Sequence, residues 1–173
     1  MAKGRYQVIM NTAIIITGTM CSGKSTISEK IQKELGISLI TELNVTPKSI
    51  FGMMSEIRNN ESKDIVLIEH AVILSKIDEI NKYFENIVII LLNVSNNILK
   101  ENFNSRESRN TINNYPFEAV LSWKKYIEDE FNKVKNNYIN YTVDINTNDD
   151  YVSAHNNIIK FLSMHKIGKP SQQ

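Results

Sequence analysis

Four runs of continuously apolar or β-branched residues punctuate the chain: 12–18 (TAIIITG), 37–41 (ISLIT), 65–69 (IVLIE) and 87–94 (IVIILLNV). Such runs, without polar alternation, predict strands covered on both faces, as in a parallel sheet. The segment 141–146 (YTVDIN) is a weaker fifth. Between the strands the pattern has a helical period, predicting helices over about 24–35, 47–58, 71–84, 96–108, 117–138 and 151–164. The third helix places Ile73, Ile77, Ile80 and Phe84 on one face. The fifth aligns Phe117, Val120, Leu121, Ile127, Phe131, Val134 and Tyr138, with Pro116 suited to its first turn. Strands alternating with helices imply right-handed βαβ units. The expected fold is α/β, a mostly parallel five-stranded sheet with helices on both faces.

No linker or repeat divides the pattern, so residues 1–173 read as one domain, with 1–11 a candidate N-terminal extension and Met10 a second candidate start. The length suffices for one α/β domain with a sizeable core. No apolar run approaches the roughly 18–20 residues needed to cross a bilayer. The opening segment lacks the apolar stretch and small-residue cleavage site of a secretion signal. Cys21 is the single cysteine, which excludes an internal disulfide and a cysteine-based zinc site. A cytoplasmic protein without membrane contact is expected. Twenty basic against 19 acidic residues give a net charge of +1, so no global field draws the chain to nucleic acid, though a local basic groove would not register in the total.

Chemistry enters with GTMCSGKS at 18–25, which fits G-x-x-x-x-G-K-[ST]. In that pattern a loop wraps its backbone N–H groups around a di- or triphosphate. The loop follows the first buried strand and precedes the first helix, whose N-terminus adds unpaired donors and the positive end of its dipole. The candidate nucleotide-binding residues are Gly18, Thr19, Met20, Cys21, Ser22, Gly23, Lys24, Ser25 and Thr26. Lys24 can bridge the phosphates and Ser25 can ligate Mg²⁺. Cys21 can be a reactive thiol near the helix end or simple filler.

The N-K-x-D of guanine-specific switch proteins has no match in NTNDD (146–150), and large mechanical ATPases need more chain. One small sheet, a short segment after the second strand and a cationic helix-loop after the fourth resemble the P-loop nucleoside and nucleotide kinase superfamily, over most of residues 12–164. The resemblance implies a three-layer P-loop NTPase fold and an enzyme using ATP and Mg²⁺. It implies that Glu42, ending the second strand in ITELN, accepts the proton of the acceptor hydroxyl; a loop glutamate is the alternative. Glu69, ending the third strand, can join the Mg²⁺ shell or be the base itself. Where the family often has Asp-Arg or Glu-Arg, this chain has Glu69-His70, and His70 can substitute for the arginine or be structural. The implied lid is 96–116, with Lys100, Arg106 and Arg109 as cations for the transferring phosphate. The adenine is placed near Asn146, Thr147 and Asn148.

For the acceptor, Phe51 and Met54 can sandwich a base or sugar face while Lys48 or Arg58 meets a phosphate; the same stripe, with Met53, can be a buried helix face. Trp123 and Tyr126 lie off the main apolar stripe and can border the acceptor or cover the core. The expected function is phosphoryl transfer to a small acceptor, a nucleoside or nucleotide. A nucleic-acid kinase acting on a 5′ end or modified base, and a nucleotide-dependent switch or binding protein, are the alternatives.

Overall fold

The structure is a computed structural model that describes residues 11–108 and 115–168. Arg109, most of the candidate extension and residues 109–114 of the candidate lid lie outside the described residues. Five parallel strands form one sheet: β1 (Thr12–Thr17), β2 (Ser38–Thr41), β3 (Ile65–Glu69), β4 (Asn86–Val94) and β5 (Ile139–Ile145), in the order β2-β3-β1-β4-β5. Among the described residues six α-helices accompany them: α1 (Lys24–Leu35), α2 (Ile50–Asn59), α3 (Ile77–Ile80), α4 (Asn96–Ser108), α5 (Phe117–Val134) and α6 (Asp150–Met164). The expected three-layer α/β fold is therefore present.

Strand alternation divides the core into two layers. Ala13, Ile15, Val66, Ile68, Ile87 and Ile89 join the side chains of α2, α3 and the later turns of α5. Ile14, Ile16, Leu67, Val88 and Ile90 face the opposite way and pack with α1, α4 and α6. All residues of β1 are buried, which is why its run shows no polar alternation.

Three helix expectations need correction. The segment 71–84 is not one helix but a 3₁₀ turn (Ile73–Lys76) followed by the single turn of α3. Ile73, Ile77, Ile80 and Phe84 are all buried as their spacing requires. The segment's beginning is taken by other partners: Thr17 Oγ1 donates to the Ala71 carbonyl (2.9 Å) and the Val72 N–H to His70 Nδ1 (3.1 Å). The helix expected from 47 starts at Ile50, where Ser49 in extended conformation caps it by accepting the Gly52 N–H. The helix expected to reach 138 ends at Val134; a 3₁₀ turn (Lys135–Asn137) follows, and Tyr138 is extended. Asn140 stabilises that exit, donating to the carbonyls of Lys135 (2.7 Å) and Tyr138 (3.1 Å).

Candidate active site

The loop between β1 and α1 reverses tightly. A Cβ on Gly18 would lie 3.0 Å from Ser22 Oγ and 3.2 Å from the Leu92 carbonyl oxygen. Gly23 adopts φ +80°, and its missing Cβ makes room for the Tyr151 ring, whose Cε1 would stand 2.7 Å from it. The bond from the Ile27 N–H to the Gly23 carbonyl (3.1 Å) opens α1. Thr19 Oγ1 ties the loop to α5 by donating to the Val120 carbonyl (2.9 Å). Cys21 is 2% exposed, and burial pushes its thiol up more strongly than the nearby Arg106 and Lys24 pull it down. A raised, closed thiol is a poor nucleophile. Cys21 fits the filler reading.

Lys24 extends from the start of α1 to Glu69, with Nζ 3.8 Å from Oε1, and also donates to the Thr19 carbonyl (3.4 Å). Both side chains are largely closed off, at 14% and 8% exposure. Burial opposes both charges, lowering the Lys24 pKa and raising that of Glu69, while each partner supports the other's charged form. The Ser25 hydroxyl also favours the Glu69 carboxylate. On the neighbouring strand, Glu42 opens a 3₁₀ turn after β2, which Thr41 caps by accepting the Leu43 N–H (3.2 Å). Its carboxylate is half exposed and lies 3.6 Å from His70 Nε2. Because His70 Nδ1 accepts the Val72 amide, the ring proton sits on Nε2, toward Glu42. Burial keeps His70 below its ordinary pKa despite Glu42. Lys24, Glu42, Glu69 and His70 thus gather at the carboxyl ends of β1, β2 and β3, where open parallel sheets bind ligands.

Two concavities are lined by neighbours of this cluster, Gly23 beside Lys24 and Val72 bonded to His70, but by none of its four side chains. One, of about 350 Å³, is bordered by α1, α4 and α6; its lining includes Gly23, Thr26, Lys30, Arg106, Asn148 and Tyr151. Arg106 is therefore beside the loop, and its charge acts on Lys24 and Cys21. Asn148 reaches the cavity, but its neighbours Asn146 and Thr147 are not in the lining. Lys100 sits 4.6 Å from the centroid of Phe117 and 5.7 Å from that of Phe103, a cation–π arrangement that employs it within the helix pair. The other concavity, about 680 Å³, lies between the 3₁₀ turn after β3 and α5, lined by Val72, Ser75, Ala119, Ser122, Trp123 and Tyr126. Trp123 and Tyr126 meet edge to face at 5.6 Å and remain partly exposed. In α2, Met53 and Met54 belong to the core while Phe51 is 76% exposed. Of the two readings of this stripe, the buried helix face describes Met53 and Met54, while Phe51 stands open to solvent.

The loop leading into α6 has its own anchor. Asp150 Oδ2 accepts the N–H groups of Asn146 (2.7 Å) and Thr147 (2.8 Å), and these bonds hold its carboxyl below the ordinary aspartate value of 3.8. A depressed folded-state pKa contributes stability that is present above the unfolded value and lost as pH falls through the folded one. Asp150→Ala is expected to melt below the wild type at neutral pH, with the two melting temperatures converging as pH drops below 3.8. A gap that stayed constant over that range would show that the ionised carboxylate contributes nothing.

For a metal, the donor set is sparse: among the described residues no group of three or more His, Cys, Asp and Glu side chains comes together. Mg²⁺ is commonly held by one or two protein oxygens, waters and substrate phosphates. The oxygens nearest to hand beside the loop are the Ser25 hydroxyl and the Glu69 carboxylate, which interact with each other. Tyr151 and Asn102, which hold the loop from outside, and the pairing of His70 with Glu42 were not foreseen. Tyr151 bonds the loop from 129 residues away and Asn102 from 81, and no local pattern signals such contacts.

No protein-family model matches the chain, and no curated protein matches it in sequence. Solved structures do. A gluconokinase from Sinorhizobium meliloti 1021 superposes with a TM-score of 0.59 at 14% identity, covering 90% of this chain and 98% of that one. Deoxyadenosine kinase from M. mycoides with bound dATP gives 0.62 at 19% identity, covering 87% and 99%. Shikimate kinase from Acinetobacter baumannii in complex with shikimate gives 0.58 at 13%, covering 90% and 94%. No described helix is long and apolar enough to cross a membrane.

Proposed function

We propose that this chain, which has the fold of the small P-loop kinases, is an ATP-dependent phosphotransferase acting on a small hydroxylated acceptor. The observation that carries the reading is the gathering of Lys24, Glu69, Glu42 and His70 beside the phosphate loop. Under the switch-protein reading the half-exposed Glu42 carboxylate beside His70 Nε2 is left without a role. In the proposed reaction the nucleotide lies along the cavity bordered by α1, α4 and α6, with the loop amides and Lys24 on its phosphates. Arg106 adds positive charge where the equatorial oxygens of the transferring group gather it. Mg²⁺, when bound through Ser25 and Glu69, would supply further neutralisation. Glu42 takes the acceptor proton as the oxygen bonds to phosphorus. Arg109 is proposed as a second lid cation.

The acceptor is proposed to be a nucleoside or nucleotide. Its groove is hung from β1 and the loop that follows it: Thr17 holds Ala71 and Thr19 holds Val120. Its size falls inside the roughly 300–1,000 Å³ of small-molecule sites, and Trp123 and Tyr126 offer aromatic faces on one wall. Such a wall can stack on the flat face of a planar base. ATP consumption measured across nucleosides, nucleotides, sugars, shikimate-like acids and oligonucleotides tests the proposal. A nucleoside or nucleotide is expected to give turnover, and Trp123→Ala to raise the KM for it about three- to tenfold with the KM for ATP unchanged. Turnover of oligonucleotides alone, with affinity falling steeply with salt, would replace the small acceptor by a polymer. Slow ATP hydrolysis indifferent to every acceptor would favour the switch protein.

A further inference from the structure

Within the phosphate loop the backbone enters the left-handed region twice, and one of the two residues is not a glycine: Cys21 has φ 65° and Gly23 φ 80°. A side-chain-bearing residue rarely rests there unless its surroundings over-determine it. Two side chains from distant elements supply that constraint. Asn102, on α4, donates its two amide protons to the Cys21 carbonyl (2.8 Å) and to the Tyr151 hydroxyl (3.1 Å). Tyr151, in the first turn of α6, donates its own O–H to the Ser22 carbonyl (3.0 Å). Each donor is used once, so the chain runs in one direction, from Asn102 through Tyr151 to Ser22. Burial raises the Tyr151 phenol, which keeps that proton in place.

The consequence follows from the planar trans peptide, in which a carbonyl and the N–H of the next residue point opposite ways. Once Tyr151 captures the Ser22 carbonyl, the Gly23 N–H must point the opposite way within that peptide plane, away from Tyr151. That N–H has no backbone partner among the described residues. Loop amides of this kind are what bind a phosphate chain. We infer that Tyr151 is a positioning residue for nucleotide binding: its hydroxyl, steered by Asn102, sets the Ser22–Gly23 peptide so that the Gly23 N–H meets the phosphates. The inference rests on the phosphate-loop part of the proposed function and not on the acceptor.

Equilibrium binding of ATP and of inorganic tripolyphosphate to the wild type, Tyr151→Phe and Asn102→Ala tests it. Tyr151→Phe keeps the ring against Gly23 and removes only the hydroxyl. It is expected to bind both ligands about three- to tenfold more weakly. In turnover, the loss should appear in the KM for ATP more than in kcat. Asn102→Ala should reproduce the loss, and the double variant should be little worse than either single one, because both cut the same chain. Melting temperatures should stay close to the wild type. Weakening for ATP with tripolyphosphate unaffected would mean that the hydroxyl touches the nucleoside, and the inference would fall. It would fall equally if Tyr151→Phe bound both ligands as well as the wild type does, or if affinity fell only in step with melting temperature. A wild type that binds neither ligand would instead sink the phosphate-loop reading itself.

Discussion

Lys24→Ala is expected to lower phosphoryl transfer by at least about 10²-fold, the scale of removing a charge-stabilising donor from a preorganised site. The ammonium leaves the first turn of α1 and is held ready by Glu69 and the Thr19 carbonyl. Lys24→Arg should not restore activity, because the planar guanidinium is broader than the compact ammonium and the site is closed. The fold should survive, with a pH signature. Removing Lys24 leaves the Glu69 carboxylate without its cation, so its already raised pKa moves further up from the ordinary 4.5. A carboxyl group whose folded pKa lies above its unfolded one binds more protons when folded, so stability falls as pH rises between the two values. The variant should therefore lose melting temperature relative to the wild type as pH climbs from 4.5 through the folded-state value. Full activity in Lys24→Ala would sink the kinase assignment; undiminished melting at all pH values would show that the Lys24–Glu69 pair contributes no stability.

Glu42→Gln should reduce kcat by about 10² to 10⁴, the range for loss of a general base, with the KM for ATP unchanged. Two carboxylates compete for that role, and their surroundings separate them. Glu69 is nearly closed, faces Lys24 and the Ser25 hydroxyl, and is pushed toward its neutral form by burial. Glu42 is half exposed, so an acceptor can reach it, and the Nε2–H of His70 is directed to it across 3.6 Å. Glu69→Gln should accordingly alter the Mg²⁺ concentration needed for half-maximal rate, since it removes one of two proposed metal oxygens. Measuring kcat, KM and the Mg²⁺ requirement for both variants decides between the assignments. If Glu69→Gln abolished turnover while Glu42→Gln were silent, the base would be Glu69. If neither changed turnover with any acceptor, both carboxylates would be structural and the switch protein would be the better reading.

By itself the sequence determined the layer architecture, because burial on two faces leaves a residue-level mark. A strand such as β1, with every residue buried, has to be an uninterrupted apolar run, and runs alternating with helical period admit few topologies. The phosphate loop was equally legible, since a short contiguous segment must supply the turn, the open backbone, the lysine and the hydroxyl together. Periodicity also found the inward residues Ile73, Ile77, Ile80 and Phe84, yet it could not separate a helix from a 3₁₀ turn plus a helical turn. That choice depended on where the Ala71 carbonyl and the Val72 N–H found their partners, in Thr17 and His70. Met54 and Phe51 share one helix, and only packing decided that the first is core and the second open to solvent. Likewise, only the parallel pairing of β2 with β3, which aligns Thr41 with Glu69, brings the next residues Glu42 and His70 together. Asn102 and Tyr151 reach the loop from two later helices. Contacts between elements far apart in the chain carry no local periodicity, so the sheet order and the crossing of α4 and α6 over the loop decided them.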